Sequence, residues 1–183
     1  MKKILLVGMM LTVFFAASAK AQVSFDGAVS FGLPTSDFGD SFEPGFGIGG
    51  DLFYQVSSIP NLGLGGRLAW NRFNVDDGAL GVNGGNMSII EILPSARYYF
   101  YVPDSQFNFF GQAGLGIYMW SSTIETVGRD FKDDGNDFGF CLGGGVSGKF
   151  TDTMSFVAMP LYHIISTEND KTTYLSLNFG IIF

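Results

Sequence analysis

The chain has 183 residues and a formal net charge of -7, with only 15% charged residues but 20 Phe, 7 Tyr and 26 Gly. This length fits a single domain, and the acidic balance argues against nucleic-acid binding. Abundant aromatic residues and glycines with few helix formers favour an all-β chain. Outside the N-terminus no apolar run approaches the roughly 18 residues of a transmembrane helix, so a membrane form of this chain would have to be a closed barrel.

The N-terminal segment has the features of an export signal. Lys2 and Lys3 form a basic start, Ile4–Ala17 is an apolar run, and Ala19–Ala21 provides an A-x-A cleavage site. We therefore predict a cleaved signal peptide over residues 1–21 and a mature domain over residues 22–183. Cleavage would remove three lysines and take the formal net charge from -7 to -10. No cysteine lies at the junction, which argues against a lipid-anchored form.

Segments of alternating polarity, separated by turn residues, predict eight strands in the mature chain. The predicted strands are Val23–Leu33, Gly45–Val56, Leu62–Phe73, Met87–Phe100, Phe107–Trp120, Phe138–Phe150, Met154–Ile165 and Tyr174–Phe183. Short connections are predicted at Ser57–Asn61, Tyr101–Gln106 and Thr151–Thr153, and long ones at Pro34–Pro44, Asn74–Asn86, Ser121–Asp137 and Ser166–Thr173. An even strand count with short turns at one end and long loops at the other is typical of bacterial outer-membrane barrels. Soluble up-and-down barrels can also have eight strands.

The two faces of the predicted strands suggest which side meets lipid. In the third strand Leu64 and Leu68 share one face, whereas Gly65, Arg67 and Ala69 share the other. A face so rich in Gly and Ala is a poor water-facing surface but suits a narrow interior. The large aliphatic face is therefore predicted to point outward, toward lipid. The sequence thus predicts an all-β fold, a single eight-stranded antiparallel up-and-down transmembrane β-barrel.

The final predicted strand has the same two-faced character. Leu175, Leu177 and Phe179 lie on its apolar face together with Ile181 and Phe183. About ten residues at a tilt of about 45° span the hydrocarbon of a bilayer. The final strand of a soluble sandwich with one wet face is the alternative interpretation of this stretch alone.

Charged residues within the predicted strands follow the inward face. Three acids and three bases have this parity: Asp26, Asp51, Arg67, Glu91, Arg97 and Lys149. Because breaking a buried ion pair is expensive, we hypothesise that these six form one neutral polar network inside the barrel. Arg72 has outward parity but lies at the loop end of its strand, where a charge costs little and a lipopolysaccharide phosphate could pair with it.

Three strand features are less regular. Pro94 and Pro160 cannot donate to a ladder, so β-bulges are expected there. The seventh strand, which contains His163, has no clear parity. Cys141 lies in a Gly-rich strand and is predicted to be a buried thiol.

On these strands, this N-terminus and the final Phe183, the mature chain resembles the small eight-stranded outer-membrane β-barrel family, also described as the outer membrane protein beta-barrel domain. This family contains outer-membrane protein X and the membrane domain of outer-membrane protein A. The resemblance implies residence in outer-membrane lipid beside lipopolysaccharide, surface-exposed loops, and insertion by the outer-membrane assembly machinery, with Phe179 and Phe183 as the assembly signal. It also implies a structural, adhesive or envelope-interaction role. A C-terminal peptidoglycan-binding domain is not expected.

An eight-stranded barrel has an interior just wide enough for side chains to fill it. Phe110, Gln112, Tyr118 and Arg67 are predicted to fill this one, which argues against a diffusion porin. The Gly-x-Gly pairs lie within strands and not at strand-to-helix turns, so they do not predict a phosphate-binding loop. No cofactor is predicted.

The long connections are acidic and offer a possible surface for a ligand. Their densest cluster is Asp130, Asp133, Asp134 and Asp137. Clustered carboxylates can bind Ca²⁺, but Lys132 interrupts the alternation of a calcium loop, so a solvated acidic face is the preferred interpretation.

Two other functions remain open as alternatives. Some eight-stranded barrels are lipid A-modifying enzymes, and their deacylase type uses a His and a Ser two residues apart. Here His163 and Ser166 are three residues apart, which places them on opposite faces of a regular strand, so an enzyme is not predicted. The second alternative is a soluble periplasmic barrel that binds an apolar ligand.

Overall fold

The computed structural model describes residues 23–76, 84–100, 102–103, 105–126, 129–167 and 171–183. The predicted signal peptide, residues 1–21, lies outside these ranges, as do parts of several predicted connections. The described strands are β1 Val23–Thr35, β2 Gly45–Gln55, β3 Leu62–Asn74, β4 Gly84–Phe100, β5 Phe107–Thr126, β6 Arg129–Lys149, β7 Ser155–Ser166 and β8 Lys171–Ile182. One short helix, α1, spans Asp37–Ser41.

The eight strands form a closed antiparallel barrel in sequence order. Each strand pairs with the next one, and β1 pairs with β8 from Asp26 opposite Ile182 to Thr35 opposite Thr173. Closure pairs β1 with β8, the two strands whose edges an open sheet would expose. The predicted up-and-down barrel is confirmed. Among the described residues no helix is long and apolar enough to cross a membrane.

The direction of the apolar face is also as predicted. Leu68 on β3 is 61% exposed, whereas its neighbour Arg67 is 2% exposed. The same alternation runs around the wall, and its middle band of exposed apolar side chains includes Val29, Ile48, Leu68, Ile92, Leu115, Phe140, Leu142 and Phe179. A continuous outer surface of this kind suits hydrocarbon as the surrounding medium.

The interior has an apolar side and a polar side. Buried apolar residues on β4 to β7 pack into one cluster that includes Ile89, Leu93, Phe110, Cys141, Leu161 and Ile165. Cys141 is buried, as predicted. This cluster explains why β7 showed no parity in the sequence: its inner residues Met159 and Leu161 are as apolar as its outer ones. His163 also points inward and is fully buried.

The connections at the loop end are shorter than predicted. Ser121–Asp137 was expected to be a loop, but β5 continues to Thr126 and β6 begins at Arg129, with these two residues paired. Strands were predicted from an alternating apolar face. Strand segments beyond the bilayer do not need such a face, so this segment had the polarity of a loop. Thr123, Ile124 and Thr126 nevertheless have the β-branched character of strands.

Helix α1 packs against the interior at the loop end. Its Phe38 is buried and its ring centroid lies 5.1 Å from that of Phe73 in an edge-on arrangement. The Phe42 ring centroid lies 4.7 Å from that of Phe38 on the other side. The predicted connection Pro34–Pro44 therefore contains a short helix whose aromatic side chain Phe38 packs inside the loop end of the barrel.

The expected bulges at Pro94 and Pro160 are absent. Between β4 and β5 the pairs Ile92 with Ile117 and Ser95 with Gly114 are separated by equal numbers of residues on both strands. The ladder is interrupted at Pro94 because proline has no N–H, but no residue is inserted. The β6–β7 ladder shows the same interruption at Pro160 without a change of register.

Candidate functional site

Arg97 organises the polar interior near the turn end of the barrel. Its Nη1 donates to Oδ2 of Asp26, and its Nε donates to Oε1 of Gln112 over 2.9 Å. Gln112 in turn donates from Nε2 to Oδ1 of Asp51 over 2.9 Å. These four side chains come from β1, β2, β4 and β5, so the group links strands on several sides of the barrel.

The guanidinium of Arg97 is also enclosed by aromatic rings. Its Cζ lies 4.4 Å from the ring centroid of Phe53 and 4.5 Å from that of Phe110. Cation–π contacts of this kind are strongest where water is excluded. Arg97 is therefore held by charge, hydrogen bonds and ring faces together.

Arg67 occupies the middle of the interior. Its Nε donates to Oε2 of Glu91 over 2.9 Å, its Nη1 to Oδ2 of Asp51 over 3.0 Å, and its Nη2 to Oδ1 of Asn178 over 2.7 Å. All four side chains are buried. One guanidinium on β3 thus bridges two carboxylates from the flanking strands β2 and β4.

Glu91 has further donors besides Arg67. Its Oε1 accepts from Nδ2 of Asn71 over 2.6 Å and from the hydroxyl of Tyr174 over 2.6 Å. Asn71 Oδ1 accepts from the hydroxyl of Ser30 over 2.8 Å. The carboxylate is therefore well supported although it is fully buried.

His163 lies closer to the loop end, between Tyr118 and Ser176. Its Nδ1 is 3.1 Å from the Tyr118 hydroxyl, and its Nε2 is 2.9 Å from Oγ of Ser176. The Tyr174 ring stacks on the imidazole with centroids 4.3 Å apart. Nδ1 is 3.8 Å from Oε1 of Glu91. The side chains of this group are fully buried.

The structure brings five of the six predicted network residues together: Asp26, Asp51, Arg67, Glu91 and Arg97. The prediction that Lys149 belongs to this network was wrong, because Lys149 lies exposed at the turn end of β6 and does not join the other five. Its inward parity placed it correctly around the strand but could not show that β6 ends there. The sequence also did not identify Asn71, Asn178 and Tyr174 as network members; their polar groups at inward-parity positions were the available signal.

The structure places the two residues of the enzyme alternative on opposite sides of the wall. His163 is buried inside, whereas Ser166 is exposed. Phe179 and Phe183 were predicted as an assembly signal. Phe179 is 56% exposed on the outer face of β8, and Phe183, which follows the end of β8, is 58% exposed. Arg72 is exposed at the loop end of β3.

A second candidate site is the extended hairpin of β5 and β6. The β6–β7 ladder ends at Phe138 opposite Ser166, so among the described residues the segment 129–137 pairs only with β5. Its four aspartates belong to the predicted acidic cluster. Asp137 accepts a hydrogen bond from Nε1 of Trp120 over 2.7 Å, and Asp133 accepts one from the backbone N–H of Asp134 over 3.0 Å. In the described part of the chain no three His, Cys, Asp or Glu side chains are grouped to hold a metal ion.

A closed barrel with an apolar outer band and buried polar residues inside defines a β-barrel membrane protein. The sequence model of the family described as "Outer membrane protein beta-barrel domain" matches residues 7–183. The chain belongs to this family and is an outer-membrane protein. No curated protein sequence matches it.

Solved structures of outer-membrane barrels share this fold. Neisserial surface protein A is 17% identical, with a TM-score of 0.64 over 89% of this chain and 97% of that one. OprG of Pseudomonas aeruginosa is 14% identical, with a TM-score of 0.54 over 88% of this chain and 95% of that one. Ail, the attachment invasion locus protein of Yersinia pestis, solved in complex with the heparin analogue sucrose octasulfate, is 14% identical, with a TM-score of 0.51 over 89% of this chain and 97% of that one. At these identities the likeness concerns the fold.

Proposed function

We propose that this protein is a non-enzymatic outer-membrane barrel that binds an extracellular polypeptide through the hairpin of β5 and β6. The observation that carries the proposal is the edge of β6 over residues 129–137, which pairs with β5 alone as far as the described residues show. An unpaired strand edge offers a row of backbone donors and acceptors to an added strand. Long loops mark the extracellular end of outer-membrane barrels, and the hairpin lies at that end.

The charge of this edge favours a basic partner. Asp130, Asp133 and Asp134 are exposed, and Phe131 beside them is 53% exposed. Complementary charge steers association and fixes register. The heparin analogue in the Ail complex, sucrose octasulfate, is a sulfated and therefore anionic sugar. Because the hairpin here is rich in carboxylates, we propose an extended cationic peptide in place of such a ligand.

The test is binding of the full-length barrel in nanodiscs to an array of peptides graded in net charge, with immobilised heparin as the anionic probe. Asn136→Pro removes a backbone donor that alternation directs toward the open side of β6. We expect cationic peptides to bind and this variant to lose affinity about tenfold, as expected for losing about one ladder hydrogen bond.

The matched control is Lys149→Met, at the opposite end of the same strand, which leaves the open edge intact and should bind as wild type does. Equal binding by the Asn136→Pro variant, or a preference for heparin, would contradict the proposal.

The filled interior supports a second part of the proposal, that the barrel does not conduct solutes. Arg67, Arg97 and Tyr118 are fully buried, and Phe38 covers the loop end. Purified protein in planar bilayers should therefore give no steady conductance. A stable, large conductance would overturn this part and leave the hairpin proposal standing.

We also propose partners for the outer surface. Arg72 lies near Trp70, whose ring centroid is 5.9 Å from that of Phe46 in an edge-on pair, an arrangement typical of the aromatic girdle at the bilayer interface. We propose that Arg72 pairs there with a phosphate group of lipopolysaccharide.

We propose that the outer-membrane assembly machinery recognises Phe179 and Phe183. Replacing both with Ala should lower the amount of protein in the outer membrane, whereas Phe150→Ala at the turn end should not.

A further inference from the structure

The buried charges of the interior do not balance. Among the described residues the fully enclosed acids are Asp26, Asp51 and Glu91, and the fully enclosed arginines are Arg67 and Arg97. Lys149, which would have balanced them, is exposed. An uncompensated charge in such a site is expensive, because little water can solvate it.

The imidazole of His163 does not need to supply the missing positive charge. Its two nitrogens face Tyr118 and Ser176, and Oγ of Ser176 is 3.4 Å from the backbone oxygen of Leu161. A neutral ring can donate a hydrogen bond from Nε2 to Oγ of Ser176 and accept one from the Tyr118 hydroxyl at Nδ1. Both ring nitrogens are then satisfied without a second ring proton.

Among the three acids, Asp26 has the weakest support. Glu91 accepts from Arg67, Asn71 and Tyr174, and Asp51 accepts from Arg67 and Gln112. Both oxygens of each of these two carboxylates therefore accept hydrogen bonds.

Within the described part of the chain Asp26 accepts only from Arg97, and no hydrogen-bond partner is found there for its Oδ1 although the residue is 1% exposed. Asp26 also lies directly opposite Asp51 in the β1–β2 ladder. Like charges directly opposite each other in a ladder repel.

We propose that the folded barrel holds one proton on the Asp26–Asp51 carboxyl pair, principally on Asp26, which makes the interior electrically neutral. Two carboxylates in one site commonly share a proton in this way. The titratable and charged groups around Asp26 are Asp51 opposite it on β2 and Arg97 from β4, which donates to it. Behind them lie Arg67 from β3, which pairs with Asp51, and Tyr99 from β4, whose hydroxyl is 3.4 Å from Nη1 of Arg97. From β8 the residue opposite is the apolar Ile182.

A proton fits this position better than a metal cation. The Arg97 guanidinium lies against Asp26, and its Nη2 is 4.0 Å from Oδ2 of Asp51. A metal ion placed between the carboxyls would face that positive charge at close range. A proton adds one charge on the carboxyl itself and needs no set of ligands.

The test measures unfolding rates of the whole barrel in lipid vesicles for Asp26→Asn, Asp51→Asn and Glu91→Gln. Asp26→Asn keeps an oxygen for Arg97 and carries no charge, so it should unfold within about threefold of the wild-type rate. Asp51→Asn and Glu91→Gln remove charges that pair with arginines and should unfold at least about a hundredfold faster. If Asp26→Asn unfolds as fast as these two, the proposal is wrong.

The pH dependence separates proton binding from simple tolerance of asparagine. A folded state that binds a proton released on unfolding loses stability as the pH rises, by up to about tenfold in the unfolding equilibrium per pH unit. Wild type should show this loss, and Asp26→Asn should lack it. Infrared spectra should show the carbonyl stretch of a protonated carboxylic acid in wild type, and this band should vanish in Asp26→Asn. Its presence in both proteins, or a wild-type stability that depends on Na⁺ compared with choline at constant pH, would overturn the assignment.

Discussion

Substitution of Arg67 by Met tests the energetic role of the interior network. The change removes three hydrogen bonds, to Glu91, Asp51 and Asn178 over 2.9, 3.0 and 2.7 Å. It preserves an unbranched side chain but leaves two buried carboxylates without their shared cation. Removing one partner of a buried ion pair costs about 3–5 kcal/mol.

The lower part of that range applies here, because both carboxylates keep other donors. Glu91 retains Asn71 and Tyr174, and Asp51 retains Gln112. We expect a loss of about 3 kcal/mol in the free energy of unfolding, which is more than a hundredfold in the equilibrium constant.

The assay is urea unfolding in lipid vesicles, followed by tryptophan fluorescence and by the heat-dependent mobility of the folded barrel on gels. Leu68→Met, the outward-facing neighbour, is the matched control and should change stability by less than about 1.5 kcal/mol. The double variant Arg67→Met, Glu91→Gln should recover part of the loss, because it removes one of the unpaired charges. If Arg67→Met costs less than about 1 kcal/mol, the buried ion pairs of Arg67 do not stabilise the barrel by the expected amount.

Two further substitutions test the outer wall and the space inside it. Leu142→Arg places a charge on the outer face and should cost about 2–4 kcal/mol of unfolding free energy if that position is near the bilayer midplane. Its control, Leu142→Met, should be nearly neutral in the same unfolding assay. Equal stabilities of the two variants would contradict a lipid-facing wall. Gly47→Ala should destabilise the barrel, because a Cβ at Gly47 would overlap Oδ1 of Asn71 and lie 2.5 Å from Oγ of Ser30. Gly27→Ala is its control, since the nearest atom to a Cβ there is 3.9 Å away, and similar losses in both variants would show that the crowding at Gly47 is unimportant.

The architecture could be predicted from the sequence because alternation carries the necessary information. A strand that separates lipid from a narrow interior has large apolar residues on one face and small or polar ones on the other. Leu68 and Arg67 show this rule in adjacent positions. The same rule placed five charged residues inside, since each of them shares the inward parity.

Other features depend on information that alternation does not contain. The extension of β5 and β6 beyond the bilayer has no apolar face, so Ser121–Asp137 had the polarity of a loop although it pairs as a hairpin. The parity of β7 was hidden because Leu161 and its inner neighbours pack in an apolar part of the interior. Lys149 shows the remaining limit: parity gives the side of the wall but not how close a residue lies to the end of the barrel.

The most direct test of the lipid-facing wall uses a single tryptophan at position 68. In a background with Trp70→Phe and Trp120→Phe, Leu68→Trp is reconstituted into vesicles whose lipids carry bromine in the acyl chains. Its fluorescence should be strongly quenched by bromine near the bilayer centre and little affected by a quencher dissolved in water, whereas Phe150→Trp at the turn end should show the reverse. Strong quenching of the residue at position 68 from water, with none from the brominated chains, would contradict a wall that faces lipid.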